Sequence, residues 1–474
     1  MIRARVSPWI DYGGNFTDYE AYQVIFKILL VVILPALNVI PAAAAPGDVD
    51  PDFRMPRFSK SGPAYLGLGS LAIAPQDKIY LGGSFLGVDG VDLPRLARLN
   101  GDGSLDRTFI PYEGFRTWAE RFTVIRGGRL HVAFGGGIPL GRKKEEVLPV
   151  GTLIRLRWDG TREPIPGGDF RAPPAYASLL DPGENLYEKV TAENLFPTAN
   201  VASLSKVQVQ QDGRILVRSS AYGPQPEPTW NAILRFHPDG SEDEGFKPVT
   251  GQGSRGGFIL CPDGAILYMH YKAGDKSGVL RRVGPDGRGD TRLAGPIRAT
   301  SSIALQEDGK ILLCAVVNGD GHVTQTDIAL CRLNPDGSED VTFPKRSLRR
   351  SLCGVALQAD GKILLYGSKA IGTGRSEPVI YRLLNDPPQD ELDILKGRIS
   401  WLRGGAAPAV TQAIFELSTD GGANWRCLPQ PMRKQEGWVL DGVELGEEGI
   451  VRAQGQTTAG NSYGLVSQEK RFSF

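Results

Sequence analysis

Residues suited to acid–base or metal chemistry are scarce in this 474-residue chain. It has four histidines, His131, His237, His270 and His322, and none lies in an HExxH pattern or beside a nucleophile motif. His237 stands at a turn where similar segments carry Asn, and His131 and His270 fall in apolar runs, where packing is the favoured role. The chain also lacks GxSxG and Walker sequences. We therefore predict no catalytic residue and lean towards a protein that is not an enzyme.

Two oxygen-rich stretches resemble the start of a calcium-binding loop. They are "NGDGSLD", with Asn100, Asp102 and Asp106, and "NGDG", with Asn318 and Asp320. Both lack the late Glu that completes an EF-hand. The Asp-Gly pair recurs along the chain, and Gly provides the positive φ that tight turns require. A backbone role is therefore favoured over calcium binding, and we predict no metal ligand and no cofactor-binding residue.

The cysteines and one short motif also favour structural roles. Cys261, Cys314, Cys331, Cys353 and Cys427 show no CxxC pair, and four of the five lie within or beside apolar runs. Buried thiols are favoured over disulfides. The segment "STDGGANW" at 418–425 resembles an Asp-box hairpin, with Ser418, Asp420, Gly422 and Trp425 in place and Asn424 where Thr is usual. We expect it to stabilise a turn.

The elements that must position these residues repeat along the chain. An alternating apolar run, a turn and a second apolar run form a β-hairpin signature, in which Asp-Gly suits the tight turn. The copies are "SLAIAPQDKIYLGGSF" at 70–85, "FTVIRGGRLHVAFGGG" at 122–137, "KVQVQQDGRILVRSSA" at 206–221, "GFILCPDGAILYMHYK" at 257–272, "SIALQEDGKILLCAVV" at 302–317 and "GVALQADGKILLYGSK" at 354–369. A second hairpin follows most copies, as in "LARLNGDGSLDRTF" at 96–109 and "LCRLNPDGSEDVTF" at 330–343. Its Asp after the turn, at Asp106, Asp243, Asp290 and Asp340, is expected to accept backbone N–H groups.

Two hairpins per repeat indicate about four strands, and most repeats start about 45 to 53 residues apart. This spacing is typical of β-propeller blades. One longer interval contains a Pro-rich insertion at 171–200. The sixth copy lacks the second arm, and residues 47–53, "GDVDPDF", resemble that arm. We predict that they supply the outer strand of the blade built from 354–385, which closes the ring and removes exposed sheet edges.

The combination of "ALQxDGKIL" and "RLNPDGSxDxxF" resembles the delta-60 repeat family of secreted bacterial proteins. The resemblance covers roughly residues 46–385 and is specific at 96–109, 302–343 and 354–369. It implies an extracytoplasmic β-propeller and no established set of catalytic residues. The family pattern often fits seven blades, whereas this chain has six copies, so six blades are favoured and seven are possible.

After the last copy, the sequence has alternating apolar runs without the paired Asp-Gly repeat. Residues 386–396, beginning "DPPQDELDI", are predicted to be a linker stiffened by Pro387 and Pro388. Residues 397–474 are predicted to form a small immunoglobulin- or fibronectin-like β-sandwich. Its candidate strands are 398–403, 411–418, 424–428, 437–440, 449–456 and 469–474. The fold class is thus all-β, a propeller followed by a sandwich.

The N-terminal region has the layout of a secretory signal. "IFKILLVVILPALNVI" at 25–40 is an apolar run with basic residues before it and "PAAAAPG" after it. We predict a signal peptide over 1–45. An uncleaved anchor is the alternative, but the run is broken by Pro35 and is short for a ~20-residue span. The protein is expected to be secreted or extracytoplasmic, in the periplasm or at the cell surface, with no stable membrane span after cleavage.

The balance of charge excludes one class of partner. The chain has 54 Lys and Arg against 53 Asp and Glu, a formal charge of +1, which argues against a nucleic-acid-binding protein. The favoured function is a secreted or cell-surface binding module without catalysis, with an unknown protein or glycan ligand. The alternatives are a propeller enzyme, lyase or lactonase-like hydrolase, with a metal in the central channel, and a purely structural spacer.

Overall fold

The computed structural model describes residues 45–59, 67–93, 95–111, 119–125, 129–134, 153–163, 203–221, 230–237, 241–252, 258–271, 278–316, 328–344, 346–348, 351–372, 375–459 and 462–474. The predicted signal peptide, apart from its last residue, and the insertion at 171–200 lie outside these ranges. Pro46–Phe474 belong to one compact unit. Within the described ranges no helix has the length and apolar character needed to cross a membrane.

The described part of the chain is built from β-strands, with one 3-10 turn at Pro75–Asp77. The all-β prediction is confirmed. In the repeat region the strands are β1 (Phe58–Ser59), β2 (Leu68–Ala74), β3 (Lys78–Gly83), β4 (Gly87–Val88), β5 (Val91–Asp92), β6 (Leu96–Leu99), β7 (Ala119–Ile125), β8 (Arg129–Phe134), β9 (Leu153–Leu156), β10 (Arg162–Glu163), β11 (Ser203–Val209), β12 (Ile215–Ala221), β13 (Trp230–Phe236), β14 (Val249–Gln252), β15 (Phe258–Leu260), β16 (Ile266–Tyr271), β17 (Gly278–Val283), β18 (Thr291–Leu305), β19 (Ile311–Val316), β20 (Ile328–Leu333), β21 (Arg346–Leu348), β22 (Ser351–Leu357), β23 (Ile363–Gly372) and β24 (Arg375–Leu383).

Consecutive strands pair antiparallel in groups, one group for each sequence repeat. The groups are β2-β3-β6, β7-β8-β9-β10, β11-β12-β13-β14, β15-β16-β17-β18, β18-β19-β20-β21 and β22-β23-β24. Strand β18 serves two groups, because its first half pairs with β17 and its second half with β19. Four of the groups have the four strands that two hairpins provide, whereas the first and last groups have three.

Groups whose side chains are described are covered on both faces, as strand β19 shows. In β19, the consecutive residues Ile311, Leu312 and Leu313 are all buried. Because successive side chains of a strand point to opposite faces, both faces of this sheet pack against neighbours. The first strands of neighbouring groups contact one another, as β2 does with β7 and with β22. The first and last groups thus share one apolar core, in which Leu71 and Leu81 lie with Leu364.

The N-terminal segment pairs with the last repeat. Gly47 and Asp50 donate their backbone N–H groups to the carbonyls of Leu384 and Arg382, at 2.7 and 2.9 Å, and Val49 forms a β-bridge with Leu383. The prediction that residues 47–53 complete the blade built from 354–385 is confirmed. The first and last repeats are therefore joined both by backbone pairing and by a shared core.

The C-terminal strands form two sheets over a common core. They are β25 (Pro388–Leu395), β26 (Arg398–Gly405), β27 (Val410–Ser418), β28 (Arg426–Cys427), β29 (Met432–Lys434), β30 (Gly437–Asp441), β31 (Glu448–Ala459) and β32 (Ser462–Ser473). One sheet has the order β25-β26-β30-β29, and in the other β31 lies between β27 and β32. Trp401 and Trp438 of the first sheet pack with Phe415 and Val451 of the second.

The region assigned to a linker differs from expectation, because residues 388–395 form strand β25. Leu392 and Ile394 are buried in the C-terminal core. The Asp390 carboxylate accepts hydrogen bonds from Trp401 Nε1 at 2.7 Å and from Arg403 Nη1 at 2.8 Å. Pro387 and Pro388 stand at the start of this edge strand, a position that tolerates proline. The two prolines therefore mark the start of a strand. Only a short connection joins this strand to β24.

Candidate functional site

The repeated Asp after each second turn is bound by protein groups. Asp106 Oδ2 lies 2.8 Å from Arg98 Nε and 2.8 Å from Lys78 Nζ, and Asp106 Oδ1 accepts the Thr108 N–H at 3.0 Å. Burial would raise the pKa of Asp106, but the hydrogen bonds from Lys78 and Thr108 and the charge of Arg98 lower it well below its usual range. The equivalent ion pairs are Arg235–Asp243, Arg332–Asp340, Arg382–Asp50, Arg281–Asp290 and, with Glu, Arg155–Glu163. The predicted backbone role of this Asp is confirmed at Asp106, Asp243 and Asp340.

Four of these arginines also donate to a neighbouring group, namely Arg98, Arg235, Arg332 and Arg382. Arg98 Nη1 donates to the backbone carbonyl of Trp158 in the following group, and its guanidinium lies 4.3 Å from the centre of the Trp158 ring. A Cβ on Gly160, in the turn after Trp158, would lie 3.1 Å from the Phe109 ring. The Asp-Gly turns are therefore packed between groups. They position the repeats, and this role accounts for their recurrence.

The other residues considered from sequence fall in structural settings. Asp102 Oδ1 accepts the N–H of Ser104 at 2.9 Å, as a turn residue does. His237 is partly exposed, with its Nε2 3.9 Å from Asp243 Oδ1, and the His270 ring lies edge-on to Tyr268 at 6.5 Å. Within the described ranges no group of three or more His, Cys, Asp or Glu residues is arranged to hold a metal ion. His322, Asn318 and Asp320 lie outside the described residues, as does the His131 side chain.

The cysteines and the Asp-box segment also have structural surroundings. Cys261, Cys314 and Cys331 are buried, Cys427 is exposed, and the Cys353 side chain lies outside the described part. Burial raises the pKa of the Cys261 thiol to about 12. In "STDGGANW", Asp420 accepts the backbone N–H and the side-chain amide of Asn424 at 2.9 and 2.7 Å. The expected role in stabilising a turn is confirmed.

The hairpin formed by β31 and β32 pairs with strands of the repeats. Ala459 of β31 pairs with Ala304 of β18, and Tyr463 of β32 pairs with Thr123 of β7. The two strands also contact β2 and β22. Leu465 of β32 packs with Ala72 and other buried residues of the first two groups. Strands β2, β7, β18 and β22, from different repeats, therefore contact a hairpin that belongs to the C-terminal region.

The C-terminal region is also fixed to the first-hairpin turns of the repeats. The Glu307 N–H donates to the Ala407 carbonyl at 2.8 Å, and the Ala409 N–H donates to the Leu305 carbonyl at 2.9 Å. In the third repeat, the backbone carbonyl of Gln210 accepts a hydrogen bond from the side-chain amide of Gln412 at 2.9 Å. These bonds attach the C-terminal strands to the third and fifth repeats.

A buried ion pair lies at this junction. The Glu307 carboxylate is fully buried, contacts the guanidinium of Arg433 from β29, and accepts the Val410 N–H at 2.9 Å. The Arg433 guanidinium also lies 5.5 Å from the centre of the Trp438 ring. Sequence reasoning missed both charged residues, because they are far apart in the chain. The one signal in the sequence is a difference between two copies. Glu307 stands just before an Asp-Gly turn, and the next copy has Ala359 at the same position.

Beside this ion pair is a cleft of about 710 Å³ between the fourth and fifth repeats and strand β29. Its lining is apolar at Leu267, Val283, Leu293, Leu305 and Ile311. The polar and remaining lining residues are Cys261, Pro262, Asp263, Arg282, Gly284, Gly289, Thr291, Gln306, Glu307, Gly309, Pro335, Arg433, Lys434 and Gln435. A cleft of this size, lined by both apolar side chains and polar groups, is suited to binding a ligand.

Some charged and polar groups of the residues lining the cleft have partners and others do not. Asp263 pairs with Arg282, and Glu307 pairs with Arg433, so exposed Lys434 carries the remaining positive charge of the lining. Gln306 is fully buried, and its Oε1 has no hydrogen-bond partner among the described residues. The same holds for Arg433 Nη1. Both atoms are buried and belong to residues that line the cleft.

Two segments of the chain match a known family. Residues 75–109 and 306–343 match the family described as a domain of unknown function (DUF5122) beta-propeller, which is of the delta-60 repeat type. The repeats are β-propeller repeats. The repeat region is therefore a β-propeller, and the resemblance found from sequence is confirmed.

Solved structures similar to this propeller chain are known at low sequence identity. A gluconolactonase from Xanthomonas campestris has a TM-score of 0.38 and 13% identity, covering 72% of this chain and 97% of its own. A calcium-binding protein, regucalcin, from Agrobacterium tumefaciens has a TM-score of 0.36 and 11% identity, covering 72% of this chain and 95% of its own. The β-propeller domain of the Trilobed protease from Pyrococcus furiosus has a TM-score of 0.30 and 12% identity, covering 56% of this chain and 94% of its own. No curated protein matches the chain.

Proposed function

We propose that this protein is a secreted or cell-surface binding module without catalysis, and that it binds a protein or glycan ligand in the cleft beside β29. The observation that carries the proposal is the composition of that cleft. Its apolar lining comes from the propeller, and Arg433 and Lys434 of the C-terminal region add charged groups. Because binding sites commonly lie where two structural units meet, this junction is the best-supported site in the described part of the chain.

The finer architecture is part of the same proposal. Six groups of strands within the described ranges support six blades over residues 46–385, rather than seven. Two sheets that share one core support an immunoglobulin- or fibronectin-like sandwich, which includes β25 and therefore begins near residue 387, before the predicted start at 397. The signal-like sequence over 1–45 supports export to the periplasm or cell surface.

The alternative of a propeller enzyme with a metal in the central channel is less well supported. The β31–β32 hairpin pairs with first strands of two blades and contacts those of two others. It therefore packs against strands that a channel metal and its substrate would also have to contact. The carboxylates of the repeated turns are already paired with arginines, and these pairs leave them with a structural role.

A binding screen with two variants tests the proposal. The mature chain is applied to peptide and glycan arrays, and the metal content of the same sample is measured. Thr291→Trp places an indole in the cleft, while Val341→Trp adds one at an exposed position outside it. We expect saturable binding that Thr291→Trp abolishes and Val341→Trp preserves. Stoichiometric bound metal together with hydrolysis of a lactone would overturn the proposal in favour of the enzyme.

A second experiment tests export. Expression of the full chain in a bacterial host, followed by fractionation, should give a product shortened by about 45 residues outside the cytoplasm, as expected for signal cleavage. Deleting 25–40 should retain the full-length remainder in the cytoplasm. A product that stays with the membrane at full length would instead identify residues 25–40 as an uncleaved anchor.

A further inference from the structure

We propose that the ligand of the cleft beside β29 is an extended peptide segment that pairs with the edge of this strand. The inference rests on the proposed binding function and names the class of ligand. Strand β29 is the last strand in the order β25-β26-β30-β29, so no strand lies on its other side among the described residues. An extended peptide can add to such an edge through main-chain hydrogen bonds.

The register of the β29–β30 hairpin shows which backbone groups are turned outward. Lys434 pairs with Gly437 across a two-residue turn, and Met432 pairs with Val439. In an antiparallel pair, hydrogen-bonded and non-hydrogen-bonded residue pairs alternate, so these two pairs exchange backbone hydrogen bonds and Arg433 between them does not. The N–H and C=O of Arg433 therefore point away from β30. Because Arg433, Lys434 and Gln435 line the cleft, this edge borders it.

Two residues that line the cleft each have a buried polar atom without a hydrogen-bond partner among the described residues. Gln306 Oε1 is an acceptor and Arg433 Nη1 is a donor, and neither has a partner in the described part of the chain. A buried polar atom without a hydrogen bond is costly. A peptide group offers both an N–H for the Gln306 amide oxygen and a carbonyl for the Arg433 guanidinium. Both atoms are buried, so we expect them to gain partners from a bound peptide only when the side chains that cover them shift.

The rest of the lining favours a peptide over a glycan. None of the described residues lining the cleft is aromatic, whereas Leu293, Leu305 and Ile311 are aliphatic. Aliphatic side chains suit the alternate apolar residues of a strand, which point to one face. Lys434 supplies the uncompensated positive charge and favours an acidic residue or a C-terminal carboxylate in the segment. The expected ligand alternates apolar and polar residues and carries one carboxylate.

Backbone pairing can be tested from the ligand side, with no risk of unfolding the protein. The probes are capped hexapeptides of alternating valine and threonine with one aspartate, and the same peptides with N-methyl groups on alternate backbone nitrogens. Binding to the mature chain is measured by calorimetry at low salt. N-methylation removes the donors needed for strand pairing, so we expect at least a tenfold loss of affinity for one of the two N-methyl patterns. Equal affinity of all the peptides would overturn the inference.

Charge variants test the place of the carboxylate. Lys434→Ala should weaken the aspartate peptide several-fold and leave its asparagine counterpart unchanged. The control is Lys396→Ala, at an exposed lysine outside the cleft, which should change neither. Peptide binding that survives Thr291→Trp would overturn the inference by placing the peptide elsewhere. A glycan that binds and is lost in Thr291→Trp would overturn the peptide ligand while retaining the binding function. Failure of every array probe to distinguish Thr291→Trp from the native chain would overturn both.

Discussion

Asp50 and Arg382 are 332 residues apart in the chain and form a buried ion pair, with 2.8 Å between the carboxylate Oδ2 and the guanidinium Nε. Lys362 Nζ lies 3.2 Å from the same oxygen. In the other repeats the equivalent Asp comes from the same repeat as its Arg, as Asp340 does for Arg332. The N-terminal segment therefore supplies to the last blade the one acidic group that this blade lacks.

Asp50→Asn should destabilise the protein by about 3 kcal/mol, because it leaves the charges of Arg382 and Lys362 near a buried site without their carboxylate. Unfolding in urea, followed by circular dichroism, measures the loss. Asp52→Asn is the matched control, since the Asp52 side chain is exposed and only its backbone N–H bonds to Asp50. Equal midpoints for the two variants would show that the pair does not hold the ends of the propeller together.

The paired carboxylates should make the protein sensitive to acid. Burial alone would raise the pKa values of Asp50, Asp106 and Asp340, but hydrogen bonds and nearby Lys and Arg charges lower all three. A carboxyl with a lowered pKa stabilises the fold above its unfolded pKa of about 3.9, and this contribution is lost as the pH falls towards the folded value. The melting temperature should therefore fall steeply below about pH 4. Asp106→Asn should flatten this dependence, and a curve parallel to that of the native chain would contradict the assignment.

Asp77 presents the opposite case. It occupies the position where the other first-hairpin turns have Gly, with a φ of 53°, and its Oδ1 accepts the Ala359 N–H of the last blade at 3.0 Å. Burial raises the pKa of Asp77, so its charged form costs stability as the pH rises through the folded value. Asp77→Asn keeps the acceptor and tolerates the positive φ.

We expect Asp77→Asn to stabilise the protein at pH 7 by about 0.5 kcal/mol, the usual size of an effect at a partly exposed site. The gain should vanish at pH 3, where the native Asp is protonated. Urea midpoints at the two pH values measure it. A loss of stability at pH 7 would mean that the charge on Asp77, rather than its acceptor oxygen, holds the seam between the first and last blades.

The inserted C-terminal hairpin gives a test by cavity formation. Leu465 is 6% exposed and packs against the first two blades, whereas Leu395, also in the C-terminal region, is 55% exposed. Leu465→Ala should cost about 2–5 kcal/mol, while Leu395→Ala should cost less than about 0.5 kcal/mol. Both are measured by urea unfolding. If the two substitutions had the same small effect, the hairpin would contribute nothing to holding the blades.

The sequence predicts the repeat structure well because its signals are local. Asp-Gly between apolar runs requires a turn whatever surrounds it, and the resemblance of 47–53 to the missing arm follows from that register. The position of the β31–β32 hairpin could not be predicted in this way. Its pairing of Ala459 with Ala304 depends on contacts between strands distant in the chain, and its residues differ little from those of an ordinary edge hairpin.

The candidate cleft was equally inaccessible to sequence reasoning. Glu307 lies in a blade and Arg433 in the C-terminal region, and each taken alone resembles a solvated surface charge. Only the fold shows that Glu307 is fully buried and paired. The assignment of 386–396 to a linker failed for a related reason. Pro387 and Pro388 suggested a spacer, whereas the burial of Leu392 depends on a sheet formed with strands further along the chain.

A comparison of two glycines in Asp-Gly turns distinguishes the backbone role of these turns from their role in packing. Gly337 and Gly90 both have positive φ, at 87° and 79°. A Cβ on Gly337 would lie 2.3 Å from the Leu293 carbonyl oxygen of the preceding blade, whereas a Cβ on Gly90 would meet no atom within 4 Å. Gly90→Ala should cost about 1 kcal/mol from backbone strain alone. Gly337→Ala should cost about 2–4 kcal/mol, because overpacking against the neighbouring blade adds to the same strain. Urea unfolding of the two variants measures the difference, and equal losses would mean that the turns act within their own blades and do not join one blade to the next.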